Sequence, residues 1–252
     1  MTIAVITGAS AGLGIELLDQ TVRQFPNLEE IWLIARRKER LELLASRYPH
    51  QTIRCLPLDL QQPSSIDTYA QLLKEAQATV TLLINNAGYG KLGNFADGDC
   101  NEQAGMVELN CRALTAMTSV TLPYMKKGSG ILNICSIAAF APTPRMTVYC
   151  STKAYVYSFS KSLRRELRPA GIHVLAACPG PMSTEFLDVA DITGRSKTFQ
   201  TLPYCNPKKV ATKALRNLKK GKGVYTPRLF YKFYHLLSKI LPHSLVMYMS
   251  KT

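Results

Sequence analysis

The chain has 252 residues, 46% of them apolar and 19% charged, which are the proportions of a folded globular protein with a substantial core and not of a disordered one. No apolar run approaches the roughly 18 to 20 residues that span a bilayer, and the N-terminus opens on strand-like Ile3-Ala4-Val5-Ile6 with no basic flank, so neither a membrane span nor a signal peptide is expected. The net charge of +14 is unevenly spread: residues 1–191 hold 18 Lys and Arg against 17 Asp and Glu, whereas residues 192–252 hold 13 and none.

In chain order, short apolar runs alternate with segments of helical period. Strands are predicted at 3–7, 30–35, 52–58, 81–84, 130–136, 172–178 and 223–225, and helices at about 12–25, 37–47, 63–76, 101–122, 147–168 and 206–219. Several of the strands are apolar on both faces, as strands of a buried parallel sheet are. This βαβ alternation predicts an α/β fold, a doubly wound parallel sheet with right-handed crossovers in a single domain. Residues 179–205, rich in Pro, Gly, Ser and Thr, lack periodicity; a loop of that length in a compact domain is usually functional, often a lid.

The seven cysteines (Cys55, Cys100, Cys111, Cys135, Cys150, Cys178 and Cys205) are odd in number and contain no Cys-x-x-Cys pair and no His at ligand spacing. They read as free thiols in a reducing cytoplasm, with no metal site.

Thr7-Gly8-Ala9-Ser10-Ala11-Gly12-Leu13-Gly14 leaves the first strand and opens the first helix. Glycines there let backbone turn sharply and approach a pyrophosphate, which the N–H groups and dipole of the new helix attract. The second strand ends at Ala35-Arg36-Arg37, where a dinucleotide fold reads the adenosine ribose. An acid there would repel a 2′-phosphate; two guanidiniums pair with it, so NADP(H) is expected over NAD(H). The ordinary reading of Arg36-Arg37-Lys38-Glu39-Arg40 is a solvated helix start. Asp59, in Leu58-Asp59-Leu60, could accept from an adenine amino group or simply close a turn. Asn85-Asn86-Ala87-Gly88 follows the fourth strand with small residues that leave room for the cofactor.

Ser136 ends the fifth strand, Tyr149 follows 13 residues later, and Lys153 lies four beyond it on the same helical face. A phenol of pKa about 10 is a poor acid–base group at neutral pH, and an ammonium one turn away favours its phenolate. Tyr149 can then exchange a proton with a carbonyl or hydroxyl oxygen that Ser136 helps to anchor. Tyr157 and Lys161 repeat the spacing eight residues on, roughly 12 Å further along the helix. Only the first pair lies near a strand's C-terminal end, where open α/β sheets bind ligands, so Tyr157 and Lys161 read as packing and surface residues.

With these residues in place the chain resembles the short-chain dehydrogenase/reductase family, NADP-preferring, from residue 2 to about residue 226. The Thr-Gly-x-x-x-Gly-x-Gly turn, Asn-Asn-Ala-Gly, the Ser136/Tyr149/Lys153 set and Pro179-Gly180 match in order. The resemblance implies a seven-stranded Rossmann-like sheet, hydride transfer between a nicotinamide and an alcohol or ketone carbon, and a homo-oligomer, dimer or tetramer, built through long helices. It implies Ser136, Tyr149, Lys153 and Asn110 as catalytic residues, with Asn110 holding a water that links Lys153 to solvent, although Asn110-Cys111-Arg112-Ala113 departs from the family's usual Asn-Val-x-Gly. For the cofactor it implies Gly8, Ser10, Gly12, Leu13, Gly14, Arg36, Arg37, Asp59, Leu60, Asn86, Ala87, Gly88, Tyr149, Lys153, Pro179, Gly180, Met182 and Thr184, with Thr184 reaching the carboxamide. A lid at about 181–205 and the side chains of Phe140, Met146, Met182, Phe186, Leu187 and Phe199 suggest an apolar pocket for a hydroxysteroid, another lipid-like ketone or a 3-oxoacyl thioester. The reading from another class is a non-catalytic dinucleotide sensor or membrane-associated scaffold on the same fold, which has no need of the whole catalytic set.

Residues 227–252 form an extension the family pattern does not explain. Leu229, Phe230, Phe233, Leu236, Leu237, Ile240 and Leu241 recur at helical spacing, with Lys232, His235 and Lys239 on another face. The pattern fits a basic amphipathic helix in peripheral contact with an anionic membrane. The other reading is a terminal helix whose apolar stripe covers the substrate pocket or a subunit interface, its lysines merely solvated. No nucleic-acid-binding motif is present.

Overall fold

The structure, a computed structural model, describes residues 1–192 and 197–249. Residues 193–196 of the expected lid and 250–252 of the extension lie outside it.

The predicted alternation forms in order: β1 (Thr2–Thr7), α1 (Leu13–Gln24), β2 (Glu30–Ala35), α2 (Lys38–Ala45), β3 (Ile53–Pro57), α3 (Pro63–Ala76) and β4 (Thr79–Asn85). With β5 (Gly130–Ile134), β6 (His173–Ala177) and β7 (Val224–Tyr225), all seven strands are parallel, in the order β3-β2-β1-β4-β5-β6-β7. The chain therefore builds outward from β1 to β3 and returns to place β4 on the other side of β1. That reversal opens a crevice at the carboxyl ends of β1 and β4, the usual ligand position in such sheets.

The strand period of two sorts the core into two layers. On β1, Ala4 and Ile6 face one layer with Leu17 and Leu18 of α1, while Ile3 and Val5 face the other with Tyr69 and Leu73 of α3. Both faces of β1 are fully buried, which explains its unbroken apolar run.

One expected element differs. The single helix predicted at 101–122 is α4 (Cys100–Val107), a π-helical turn (Glu108–Ala113) and α5 (Leu114–Thr121). The apolar stripe runs on across the break through Met106, Ala113, Leu114 and Met117, so the sequence reads as continuous. Wide turns of this kind are concentrated at functional sites, and this one carries Asn110.

β5 (Gly130–Ile134) leads through Ser136 to α6 (Thr147–Leu167), and β6 (His173–Ala177) leads into the lid segment with its short helices α7 (Phe186–Val189) and α8 (Lys197–Thr201). α9 (Pro207–Lys219) begins with Asn206, whose side chain accepts the Lys209 N–H at 2.9 Å, and packs on α1. β7 (Val224–Tyr225) closes the sheet.

The extension forms α10 (Leu229–Ile240) and α11 (His243–Met249). Here the apolar stripe does not cover the substrate pocket. α10 packs inward through Tyr231, Tyr234, His235 and Ser238, and turns Leu229, Phe233, Leu236 and Ile240 to solvent. His235, grouped with the lysines from the sequence, lies on the packed side because its ring stacks on Phe140, 3.9 Å between centroids.

Candidate active site

The Thr7 hydroxyl at the end of β1 accepts the backbone N–H of Asn86 and of Ala87, each at 3.0 Å, and the Asn86 amide donates to the carbonyls of Thr7 and Gly8 at 3.1 and 2.9 Å. Asn86 thus ties the glycine turn to the end of β4. Gly8 has φ +64°, and a Cβ there would stand 2.8 Å from Ala87 Cα; one on Gly14 would stand 2.2 Å from the Gly8 carbonyl oxygen. Only glycine fits either position. The turn delivers the chain into α1, whose N-terminus has no side-chain cap and so favours an anion.

From this turn a cleft of about 440 Å³ runs across the sheet edge. Gly8, Ser10, Gly12 and Leu13 line one end with Arg36, Arg37, Asp59 and Leu60, and Thr184 stands against Gly12; Asn86, Ala87 and Gly88 line the middle; Ser136, Tyr149, Lys153, Pro179, Gly180 and Met182 line the other end. Gly14 sits behind the turn and Asn110 behind Tyr89. Of the expected apolar pocket, Met146, Met182, Phe186, Leu187 and Phe199 line the cleft. Phe140 does not: it packs against Tyr157, Tyr234 and His235 and anchors α10.

Ser136 leaves β5 in an extended conformation and its hydroxyl accepts the Ala138 N–H at 3.1 Å, which aims the residue out of the sheet. Tyr149 lies in the first turn of α6. Burial raises its phenol above the ordinary value, more than the hydrogen bond with Ser136 lowers it. Lys153, one turn on, donates to the Ile134 carbonyl at 2.9 Å, and its Nζ is 5.7 Å from the Tyr149 ring centre. Burial pulls the Lys153 ammonium down, opposed by the thiols of Cys135, Cys111 and Cys178.

Asn110 is buried, and its side chain is well bonded: Oδ1 accepts the Tyr89 N–H at 3.0 Å, while Nδ2 donates to the Tyr89 carbonyl at 2.8 Å and to Thr152 Oγ1 at 3.0 Å. Asp59 Oδ1 accepts the Gln61 N–H at 3.1 Å, forming a turn at the cleft edge. Tyr157 faces away from the cleft and shares a 3.1 Å hydrogen bond with His235 Nε2, and Lys161 stands over its ring.

Three features were not visible in the sequence. Glu185, next to Thr184, lies between Arg40 (2.7 Å) and Arg37 (3.4 Å), and Arg37 also donates to Ser10 Oγ at 3.4 Å. These guanidiniums hold the Glu185 carboxyl below its usual range, Arg40 foremost. At the far end of α7, Lys91 pairs with Asp191 at 3.2 Å and Glu102 at 3.1 Å. The lid segment is therefore pinned by ion pairs on both sides of α7. Tyr234, from α10, lines the cleft. No local pattern connects residue 185 to 37 or 234 to the cleft; only the folded topology joins them.

The cradle fits a nicotinamide dinucleotide: backbone approaches closely where a Cβ would intrude, a helix N-terminus faces the cleft, and two guanidiniums stand beyond β2. The short chain dehydrogenase family profile matches residues 2–192. The chain belongs to the short-chain dehydrogenase family. An uncharacterized oxidoreductase of Staphylococcus epidermidis is 28% identical over 197 residues, 77% of this chain and 84% of the relative. A solved short-chain dehydrogenase from Sphingobium yanoikuyae, in complex with NADPH, is 28% identical with TM-score 0.82, covering 98% of this chain and 95% of its own. The bulky-bulky ketone specific alcohol dehydrogenase from Comamonas testosteroni is 28% identical with TM-score 0.77, covering 95% and 92%. A fold neighbour at 24% identity is complexed with NADH. This short-chain dehydrogenase is an NAD(P)-dependent oxidoreductase acting on small molecules, built on a single Rossmann-like domain.

Proposed function

We propose that this short-chain dehydrogenase uses NADP(H) to interconvert a secondary alcohol and a ketone. The substrate class is a bulky, lipid-like ketone such as an oxidised hydroxysteroid, or a 3-oxoacyl thioester, and the enzyme works in the cytoplasm as a homo-oligomer. The observation that carries the reading is the meeting of the Ser136 and Tyr149 side chains at the foot of an apolar pocket, with Lys153 buried one turn behind. Arg36 and Arg37 at the cleft edge support the 2′-phosphate, and Met146, Phe186, Leu187 and Phe199 support an apolar substrate.

The nicotinamide, when bound, supplies or accepts the hydride. Glycine backbone around Gly8 and Gly12 would hold the pyrophosphate, Asp59 and Leu60 the adenine, and Thr184 and Lys153 the nicotinamide end. In reduction Tyr149 donates its phenolic proton to the carbonyl oxygen, and in oxidation it takes the proton from the hydroxyl. Ser136 donates a hydrogen bond to the same oxygen and fixes its position. The Lys153 ammonium favours proton loss from Tyr149 by proximity of charge. A point beside Gly88, where a Cβ would stand, lies 2.7 Å from Asn110 Oδ1 and 3.5 Å from Lys153 Nζ. Both polar atoms therefore crowd the Gly88 backbone, and Asn110 is proposed to hold the water through which Lys153 reaches solvent.

NADPH absorbance decay with a panel of steroid ketones, acyl thioesters and simple aldehydes tests the reading. Turnover of bulky ketones with NADPH is expected. No turnover of any carbonyl with either cofactor, despite NADPH binding, would instead support a non-catalytic sensor.

A further inference from the structure

α10 carries its apolar residues on the wrong side for a self-contained domain. At about 100° per residue, Leu229, Phe233, Leu236 and Ile240 fall within roughly a 60° band, and they are 81%, 61%, 54% and 69% exposed. Phe230 widens this band, and Leu245 and Tyr248 of α11 add exposed apolar surface nearby in the chain. Seven of the thirteen exposed large apolar side chains among the described residues lie between 229 and 248. Scattered exposed apolar residues are ordinary, but a continuous helical stripe of them marks a contact surface.

The opposite face fixes this orientation. Tyr231 is fully buried, its hydroxyl donates to the Pro203 carbonyl at 2.8 Å, and its ring lies so close to Gly180 that a Cβ there would stand 2.3 Å from it. His235 stacks on Phe140 and bonds Tyr157. Turning the stripe inward would require undoing all of these contacts.

We propose that the outer face of α10 docks on an anionic lipid bilayer, with the helix lying in the plane of the interface. Charge selects this occupant. Lys232 and Lys239 flank the stripe and are exposed, with no acidic partner among the described residues, and Lys161 stands close enough to act on His235 along with Lys239. Residues 192–252 contain 13 Lys and Arg and no acid. A second copy docked face to face about a two-fold axis would bring the same lysines against each other with no carboxylate from this segment to offset them. Anionic headgroups offset them directly, while the apolar stripe enters the acyl boundary. No helix among the described residues is long and apolar enough to cross a membrane, so the mode is peripheral. Tyr234 lines the cleft from the other side of the same helix, which places the pocket wall one helix thickness from the bilayer.

The test is co-sedimentation of the full-length protein with phosphatidylcholine vesicles and with vesicles of phosphatidylcholine and phosphatidylglycerol, alongside sedimentation velocity without lipid. Binding to the anionic vesicles only is expected. It should fall roughly thirtyfold at low salt in the Lys232→Gln/Lys239→Gln variant, and more than about tenfold in Phe233→Ser/Ile240→Ser. Both variants should keep the wild-type sedimentation coefficient and the wild-type NADPH affinity, which shows them folded. No binding of the wild type to anionic vesicles overturns the proposal. So does a drop in mass of Phe233→Ser/Ile240→Ser without lipid, which would make the stripe a contact between copies. Failure of the redox reading would leave vesicle binding untouched, because none of these four residues lines the cleft.

Discussion

Tyr149 sits where burial keeps its proton on, and this has a direct consequence for pH dependence. A raised phenol pKa means the acid form persists through neutral pH and beyond the ordinary value of about 10. Ketone reduction, which needs the proton, should hold level from neutral to mildly alkaline pH, whereas alcohol oxidation, which needs the base, should rise steadily over the same range. A reduction rate that falls above pH 7 would show that burial does not hold the proton on Tyr149 during turnover. At the other end of the cleft, the sequence indicates Arg36 and Arg37 as readers of the 2′-phosphate but gives no hint of Glu185. Changing both arginines to Ser should raise KM for NADPH by more than about tenfold and leave KM for NADH within about twofold. Glu185→Gln should act in the opposite direction, because a carboxylate held by Arg37 and Arg40 competes with a phosphate for the same guanidiniums. Exposed pairs are weak, so a fall in KM for NADPH of at most about fivefold is expected, measured against an unchanged KM for NADH.

At the scale of elements, the docking of α10 depends on a neutral His235. Its ring stacks on Phe140, meets the Tyr157 ring edge-on and bonds its hydroxyl, and lies near Lys161 on α6 and Lys239 on its own helix, so burial and both lysines lower its pKa. The undocked helix would bind a proton more readily than the docked one. Docking stability is therefore complete above the ordinary histidine value of about 6.5 and declines as pH falls below it. Amide exchange within α10, corrected for intrinsic rates, should quicken at pH 5.5 relative to pH 7.5, and His235→Phe should remove most of that difference. Protection that does not change with pH would assign the docking to Tyr231 alone. Tyr157→Phe removes a bond to this helix and should change turnover by less than about threefold. The helix's existence was legible from its apolar period, but its orientation was not: a stripe of Leu, Phe and Ile looks like a buried face, and only the folded contacts, Tyr231 on Gly180 and Pro203 and His235 on Phe140, show which side is inward. The π turn at Asn110 was hidden for a related reason, since the apolar period runs through the break while the backbone adds a wide turn to bring Asn110 against Tyr89 and Thr152.

Across the whole molecule, the sheet was legible because its strands are buried on both faces and separated by helices of ordinary length, so the sequence period, the element order and the parallel topology agree. The meeting of Ser136, Tyr149 and Lys153 in the cleft was legible because they lie on two consecutive elements, where spacing translates into geometry. The lid was legible as a loop but not as an ion-paired strap, because Glu185 and Asp191 find partners more than a hundred and about a hundred residues away, Arg40 and Lys91 respectively. The proposed reaction is proton donation from the Tyr149 phenol to a carbonyl beside a bound NADPH. It is tested most directly by comparing the wild type with Tyr149→Phe, measuring NADPH affinity by fluorescence and turnover of a bulky aryl ketone by NADPH absorbance. NADPH affinity within about threefold of the wild type and a kcat lower by about 10² to 10⁴ are expected. A Tyr149→Phe enzyme that binds NADPH and reduces the ketone at the wild-type rate would contradict it.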